Sequence, residues 1–250
     1  MTVGSLGAEV RRTRIRELLQ ADGALDLSWA ADELGVSEMT VRRDLAELER
    51  QGLVRRVRGG AIAVEPERFD RRAARNNTAK ARIATKLQAL VPTRGFIAMD
   101  SSSTIHRLAS DLGVTSDVTA FTTGLETFHA LRGKGVHTML SGGELEDATG
   151  AFVGPVAVRA VEDFRFARAF LGASGLDPDR GALESTLANA EVKRALRRAT
   201  TSVVVAVDAS KLEATSAAVA LRLPEIDILV TDLDPTDPRL DPYRDHVELR

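Results

Sequence analysis

Asp100, Ser101, Ser102, Ser103 and Thr104 stand between an apolar run, "GFIAM", and a stretch of helical spacing, "RLASDLG". Hydroxyls at a strand-to-helix junction can donate side-chain and backbone hydrogen bonds to phosphate oxygens, and a helix N-terminus favours the negative charge. Thr122, Thr123 and Gly124 repeat the arrangement after "VTAF", and Lys211 follows "VVVAVDAS". A lysine there adds a charge-assisted bond, about twice as strong as a neutral one. Any one of these loops reads equally as a cap or turn. Two of them with a lysine, all at strand ends, favour a phosphorylated ligand.

A second chemistry sits near the N-terminus. Arginines crowd at Arg11, Arg12, Arg14 and Arg16, then at Arg42, Arg43, Arg55, Arg56 and Arg58, with most of the local acids between the two groups. A net charge of -2 hides this segregation. Phosphate binding depends on where charge sits, so the pattern points to a nucleic acid.

The elements that must hold these residues follow from spacing. Ile15, Leu18 and Leu19 mark a first helix. A second runs through "LSWAADELG", with Ser28 expected as N-cap and Gly35 as its stop. Ser37 caps a third, in which Val41, Leu45 and Leu48 make one buried face and Gly52 closes the helix. "LVRRVRGGAIAV" alternates apolar and basic residues around Gly59 and Gly60, as a hairpin does. Two short helices joined by "GVS", followed by a hairpin, make a winged helix-turn-helix over residues 1–64. Met39, Thr40, Arg42 and Arg43 then project outward. Ser37, Glu38, Thr40, Arg42 and Arg43 are the expected DNA contacts of the recognition helix, and Arg55, Arg56 and Arg58 those of the wing.

Residues 65–94 read as a charged linker and a connecting helix. From residue 95 to 250 short apolar runs alternate with helical stretches: "FIAM", "VTAFTT", "VHTMLSGG", "ARAFLGASG", "SVVVAVDAS" and "DILVTD" are the expected strands. This is an α/β pattern with a largely parallel sheet, whose ligands sit at the carboxyl ends of the strands. The expected fold is a winged helix-turn-helix domain followed by a Rossmann-like α/β sensor domain.

At 250 residues with 44% hydrophobic and 28% charged residues, the composition is that of a soluble globular chain. The absence of cysteine excludes disulfides, thiolate metal sites and a cysteine nucleophile. No apolar run suggests a membrane span or an export signal, so the expected location is cytoplasmic. His106, His129, His137 and His246 lack metal-ligand spacing, and "LSGGELE" lacks the Lys-Ser/Thr of a nucleotide loop. No metal or cofactor is expected. "DPTDPRLDPYRD" reads as loop or tail, and Trp29 as core.

"VSEMTVRRDLAELERQGLVRRVRGGA" resembles the DNA-binding signature of the DeoR family of bacterial transcriptional repressors, through Thr40, Arg42, Arg43, Asp44, Leu45, Gly52, Arg58, Gly59 and Gly60. The resemblance continues through Phe69, Arg72, Asn76 and Lys80, through "MDSSSTIH", "FTTGLE", "SGGELE" and "FVGPVA", and on to "FLGASGLDPDRGAL", "AEVKRAL" and "VDASK". It implies a C-terminal domain similar to ribose-5-phosphate isomerase, operator DNA as one partner, a phosphorylated sugar or related metabolite as effector, and a homo-oligomer. The implied effector residues are Arg72, Asp100, Ser101, Ser102, Ser103, Thr104, Thr122, Thr123, Gly124, Gly172, Glu191 and Lys211. By alignment Glu191 matches the isomerases' general base and Lys211 a substrate-binding lysine, while their acidic partners fall at Leu171 and Ser174. Those two cannot serve, which implies binding without turnover and no catalytic residue. Ser102 replaces the family's glycine, Ser103 its first threonine, and Glu146 stands near a position where many members are basic. The alternatives are an active sugar-phosphate isomerase carrying a DNA-binding appendage, and an architectural DNA-binding protein whose second domain only oligomerises.

Overall fold

The computed structural model describes residues 3–50, 54–63, 66–113 and 117–250, in two compact units divided between Arg68 and Phe69. The first unit comprises α1 (Val3–Asp22), β1 (Ala24–Asp26), α2 (Leu27–Leu34), α3 (Glu38–Arg50), β2 (Val54–Val57) and β3 (Gly60–Ala63). Ile15 and Leu19 of α1, Ala30 of α2 and Val41, Leu45 and Leu48 of α3 are buried together, as their helical spacing requires.

Gly35 ends α2 in the left-handed conformation at φ 63°, as expected. The start of α2 differs. Asp26, not Ser28, is its N-cap: one carboxylate oxygen accepts the N–H groups of Ser28 at 2.9 Å and Trp29 at 3.0 Å. The Ser28 hydroxyl donates to the same oxygen at 2.8 Å. A carboxylate suits the positive end of a helix better than a hydroxyl, and these bonds hold Asp26 below the usual carboxylate range. Trp29 is the second departure, because it is 46% exposed rather than core. Its neighbours Leu27, Ala30 and Ala31 occupy the buried side of a short helix. Gly52 lies outside the described residues.

The sheet order is β1-β3-β2, all antiparallel, so the hairpin is stitched to the helical body through β1. Gly60 makes that stitch. A Cβ there would lie 1.9 Å from the Leu25 carbonyl oxygen, so any other residue would push β3 off β1.

The second unit begins inside the segment expected as a linker and connecting helix. It contains α4 (Phe69–Ala74), α5 (Asn77–Gln88), β4 (Gly95–Met99), α6 (Ser103–Asp111), β5 (Val118–Thr122), α7 (Leu125–Leu131), β6 (His137–Leu140), β7 (Glu144–Glu146), β8 (Ala151–Val153) and α8 (Gly154–Glu162). It continues through β9 (Phe166–Leu171), β10 (Gly175–Asp177), β11 (Gly181–Glu184), α9 (Leu187–Arg198), β12 (Thr200–Ala206), β13 (Ala218–Leu221), β14 (Ile228–Val230), α10 (Asp241–Arg244) and β15 (Glu248–Leu249). Ile83, Ala84 and Leu87 of α5 are fully buried, so this helix is part of the core.

A seven-stranded sheet of order β15-β14-β12-β9-β4-β5-β6 runs parallel throughout. Alternate residues of β4 serve opposite layers. Ile97 and Met99 pack with Ile83, Leu87, Ile105 and Leu108, while Ala98 packs with Val161 and Leu196. The chain adds strands outward from β4 through β5 and β6, then returns to the other side through β9. The topological switch point therefore lies between β4 and β9, where sheets of this kind open a crevice at the carboxyl ends.

Two features go beyond the expected strands: the hairpin of β7 and β8, and a small antiparallel sheet of order β10-β11-β13. The segment that reads as loop or tail is turn-rich but anchored in the core. It forms a 3-10 turn at Pro238–Leu240 and α10, and fully buried Tyr243 donates its hydroxyl to the Leu176 carbonyl at 2.9 Å. A solitary tyrosine among charges and prolines gives no periodicity by which to find that anchor.

Candidate functional site

On the first unit the described surface of α3 is polar and basic. Ser37 caps it: its hydroxyl accepts the Thr40 N–H at 3.3 Å and lies 3.0 Å from the Thr40 hydroxyl. With Val41, Leu45 and Leu48 inward, Glu38, Met39, Arg42 and Arg43 are exposed and Thr40 half-buried. The orientation of α3 is fixed by Arg11, which pairs at 2.5 Å with Asp44, a carboxylate of 5% side-chain exposure. Arg42 meets Glu38 at 3.2 Å, one turn earlier. In the wing, Arg55 and Arg58 are exposed. Arg56 instead turns back to Glu49, donating its backbone N–H at 2.8 Å and its side chain at 2.6 Å. That pair ties β2 to α3, so Arg56 is a brace for the wing.

On the second unit four adjacent strands, in the order β12-β9-β4-β5, end side by side, and most of the expected ligand residues lie at or just after their carboxyl ends, with Arg72 on α4 and Glu191 on α9 as exceptions. The closeness of these loops is set by two glycines. A Cβ on Gly172, after β9, would fall 2.4 Å from the Cβ and hydroxyl of Ser102. One on Gly124, after β5, would fall 2.7 Å from the Ser101 Cα. Side chains at 124 or 172 would force the edge apart, so these backbones line it directly.

Asp100 is the keystone of the edge. Its carboxylate accepts the Ser102 N–H at 2.9 Å and the Gly172 N–H at 2.8 Å, and lies 2.9 Å from the Lys193 ammonium. Lys193 also donates to the Gly172 carbonyl at 2.6 Å and pairs with Glu184, whose second oxygen accepts the Ser174 hydroxyl at 3.1 Å. All three charged groups are buried. Burial alone would raise the Asp100 pKa, but Lys193 and the Ser102 N–H outweigh it and hold the carboxyl below the usual range. Burial would lower Lys193, and the carboxylates of Asp100 and Glu184 outweigh it in turn and raise it. Asp100 and Lys193 are thus held in their charged forms, and the hydrogen bonds of the three residues are spent on one another and on the loop. Asp100 positions the hydroxyl loop rather than offering an open acceptor.

The loop itself fits an anion. Ser102 is the N-cap of α6 and accepts the Ile105 N–H at 3.3 Å. Its φ of −73° is ordinary, so replacing glycine here introduces no backbone strain. Ser101, Ser103 and Thr104 are buried at the same helix start. Fully buried Thr122 uses its hydroxyl to accept the Gly124 N–H at 3.1 Å, which shapes the β5 loop.

A group of basic residues lies around the α4–α5 junction. The α4–α5 junction is clasped to the loop after β12, where the Asn76 amide donates to Asp208 at 3.0 Å and to the Ser210 hydroxyl at 3.2 Å. Asn76 is left-handed, at φ 55°. Lys80 donates to the carbonyls of Arg72 and Arg75 and so closes the end of α4. Burial pulls Lys80 down to about 8, against Asp208, with Arg75, Lys211 and Arg72 adding to the effect. Lys80 thus sits against the Arg72 and Arg75 backbone, and the Asn76 clasp brings the loop that carries Lys211 to the same junction. Arg72 donates to the Thr149 carbonyl at 2.8 Å and lies over the Phe69 ring, 5.5 Å from its centre. Phe69 in turn meets the His106 ring edge-on at 5.2 Å.

Most of the expected residues thus lie along one edge. Glu191 does not join the Asp100 group. It is exposed on α9 and pairs with Arg194 at 2.7 Å, while the same helix brings Lys193 inward. Sequence reading missed Lys193 and Glu184. The signal for Lys193 was its place between Val192 and Leu196 on the apolar face of α9, where a lysine needs a buried partner. Glu146 accepts the Asn189 amide and the Thr149 hydroxyl, each at 2.6 Å, so it too is satisfied within the fold. Among the described residues no group of histidines and carboxylates could hold a metal ion, and no helix is long and apolar enough to cross a membrane.

Comparison with known proteins agrees with both halves. Residues 11–67 match the model of the DeoR-like helix-turn-helix domain, and residues 75–233 that of the DeoR C terminal sensor domain. The chain is 32% identical to the transcriptional repressor AccR of Agrobacterium fabrum over 228 residues, covering 89% of this chain and 88% of AccR. It is 29% identical to the glycerol-3-phosphate regulon repressor of Escherichia coli over 241 residues, covering 94% and 95% of the two chains. It is also 29% identical to the putative aga operon transcriptional repressor of Escherichia coli O157:H7 over 234 residues, covering 90% and 87%. The two domain models together span most of the sequence, and the chain belongs to the DeoR family of DNA-binding transcriptional regulators.

Proposed function

We propose that this protein is a cytoplasmic repressor of carbohydrate-metabolism genes whose operator affinity is set by a phosphorylated sugar or related metabolite. The observation that carries the reading is the edge at the β4–β9 switch point. A helix N-terminus rich in hydroxyls lies at this edge, and the junction carrying Arg72, Arg75 and Lys80 is clasped by Asn76 to the β12 loop that carries Lys211. Such a site suits a phosphate monoester, with the sugar lying over Gly172 and Gly124. Ser37, Glu38, Thr40, Arg42 and Arg43 face base edges and phosphates, and Arg55 and Arg58 the backbone.

The site binds without turnover. Isomerisation needs a base and acids around the sugar oxygens. Leu171 and Ser174 stand where the acids would be, and the expected base Glu191 is paired with Arg194. Regulation is then linkage: the effector favours one arrangement of a homo-oligomer, and DNA affinity changes by its differential binding to the arrangements. A thermal melt against paired phosphorylated and free sugars tests the sensor. At about a hundred times its dissociation constant, an effector adds about 2.7 kcal/mol and raises the transition by about 5–10 °C. A shift with the phosphorylated member of a pair alone supports the reading; equal shifts with both members refute the phosphate site. Turnover of ribose 5-phosphate that disappears in Glu191→Gln would refute the non-enzymatic part.

A further inference from the structure

We propose that Met39 is a base-reading residue: its thioether side chain packs against the 5-methyl group of a thymine in the major groove. The proposal rests on α3 being the recognition helix. Met39 is 57% exposed in the first turn of α3, the end that enters the groove first. Residues three and four apart share a helix face, so Met39 lies beside Arg42 and Arg43. The helix cannot roll to hide it, because Val41, Leu45 and Leu48 are fully buried and Asp44 is pinned to Arg11.

An apolar side chain here stands among charged neighbours, with Glu38 and Arg42 engaged with each other at 3.2 Å. The partner must therefore be apolar and lie within a surface otherwise read by cations and hydroxyls. On a major-groove floor the thymine methyl is that feature, and no other base presents one. Methionine suits the contact, since its unbranched, polarisable chain adapts to the depth of the groove. Arg42 and Arg43 supply charge at flanking positions, so Met39 adds sequence preference rather than bulk affinity.

The test uses the full chain and a duplex that the wild type has enriched from a random-sequence pool. Each thymine of a half-site is replaced in turn by uracil, which removes only the methyl group. One thymine per half-site should lower wild-type affinity about fourfold, the equivalent of one buried methyl at about 0.8 kcal/mol and 1.4 kcal/mol per tenfold. Met39→Ala should bind the parent duplex about fourfold more weakly per half-site and be indifferent to uracil at that position. Met39→Leu should keep the discrimination. Wild-type indifference to uracil at every position, or discrimination retained by Met39→Ala, overturns the proposal. Separately, a pool without enrichment, or full binding by the Arg42→Ala/Arg43→Ala double variant, overturns the recognition-helix reading beneath it.

Discussion

At the scale of single residues, the edge depends on charges buried within the fold. Lys193 balances two buried carboxylates, and Asp100 converts that anchor into a fixed position for the Ser101–Ser102 backbone. Removing one partner of a buried ionic group leaves the others uncompensated. Lys193→Met should therefore destabilise the second unit by about 3–5 kcal/mol. Adding Asp100→Asn and Glu184→Gln to that variant should recover part of the loss, as urea unfolding of the single and triple variants would show. Lys80 makes a prediction in pH. Its value near 8 is below the ordinary 10.5, so between those limits the folded chain binds fewer protons than the unfolded one. From this group, stability rises with pH through that window. Effector affinity should move the other way, falling between pH 7 and 9 as one cation leaves the site. Calorimetric titration should find that fall in the wild type and not in Lys80→Met.

At the scale of elements, the first unit was largely legible. Its helices carry one apolar stripe each, and its wing follows from paired glycines between alternating residues. The seven-stranded sheet was legible in its six apolar strands, because strands buried on both faces read as continuous hydrophobic runs. Beyond periodicity the reading failed. The strands of the small antiparallel sheet are three or four residues long, too short to show a pattern, and α5, legible as a helix, gave no sign that its narrow apolar stripe belongs to the core. The Asp26 cap lost to Ser28 because a serine just inside a helix looks like a cap in sequence. The wing carries its own prediction. Arg55→Ala and Arg58→Ala should weaken binding to all duplexes alike and reduce the slope of log affinity against log salt by about 0.9 each, in a fluorescence titration from 50 to 200 mM salt. Arg56→Ala should loosen the wing itself, since its partner is Glu49.

At the scale of the whole molecule, the proposed regulation needs only thermodynamic linkage between a DNA-binding domain and a sensor domain. Coupling of this sort is reciprocal: an effector that weakens operator binding is itself bound less tightly by the DNA-loaded protein. The measurement that tests this most directly is the affinity for an enriched operator duplex, by fluorescence anisotropy, with and without saturating members of a panel of phosphorylated sugars and their free counterparts. The account predicts that one phosphorylated compound changes the affinity by about 5–150-fold, that its free counterpart does not, and that Arg72→Ala abolishes the change while leaving effector-free DNA binding intact. Operator affinity that stays the same across the whole panel, or that answers equally to a sugar without its phosphate, would contradict it.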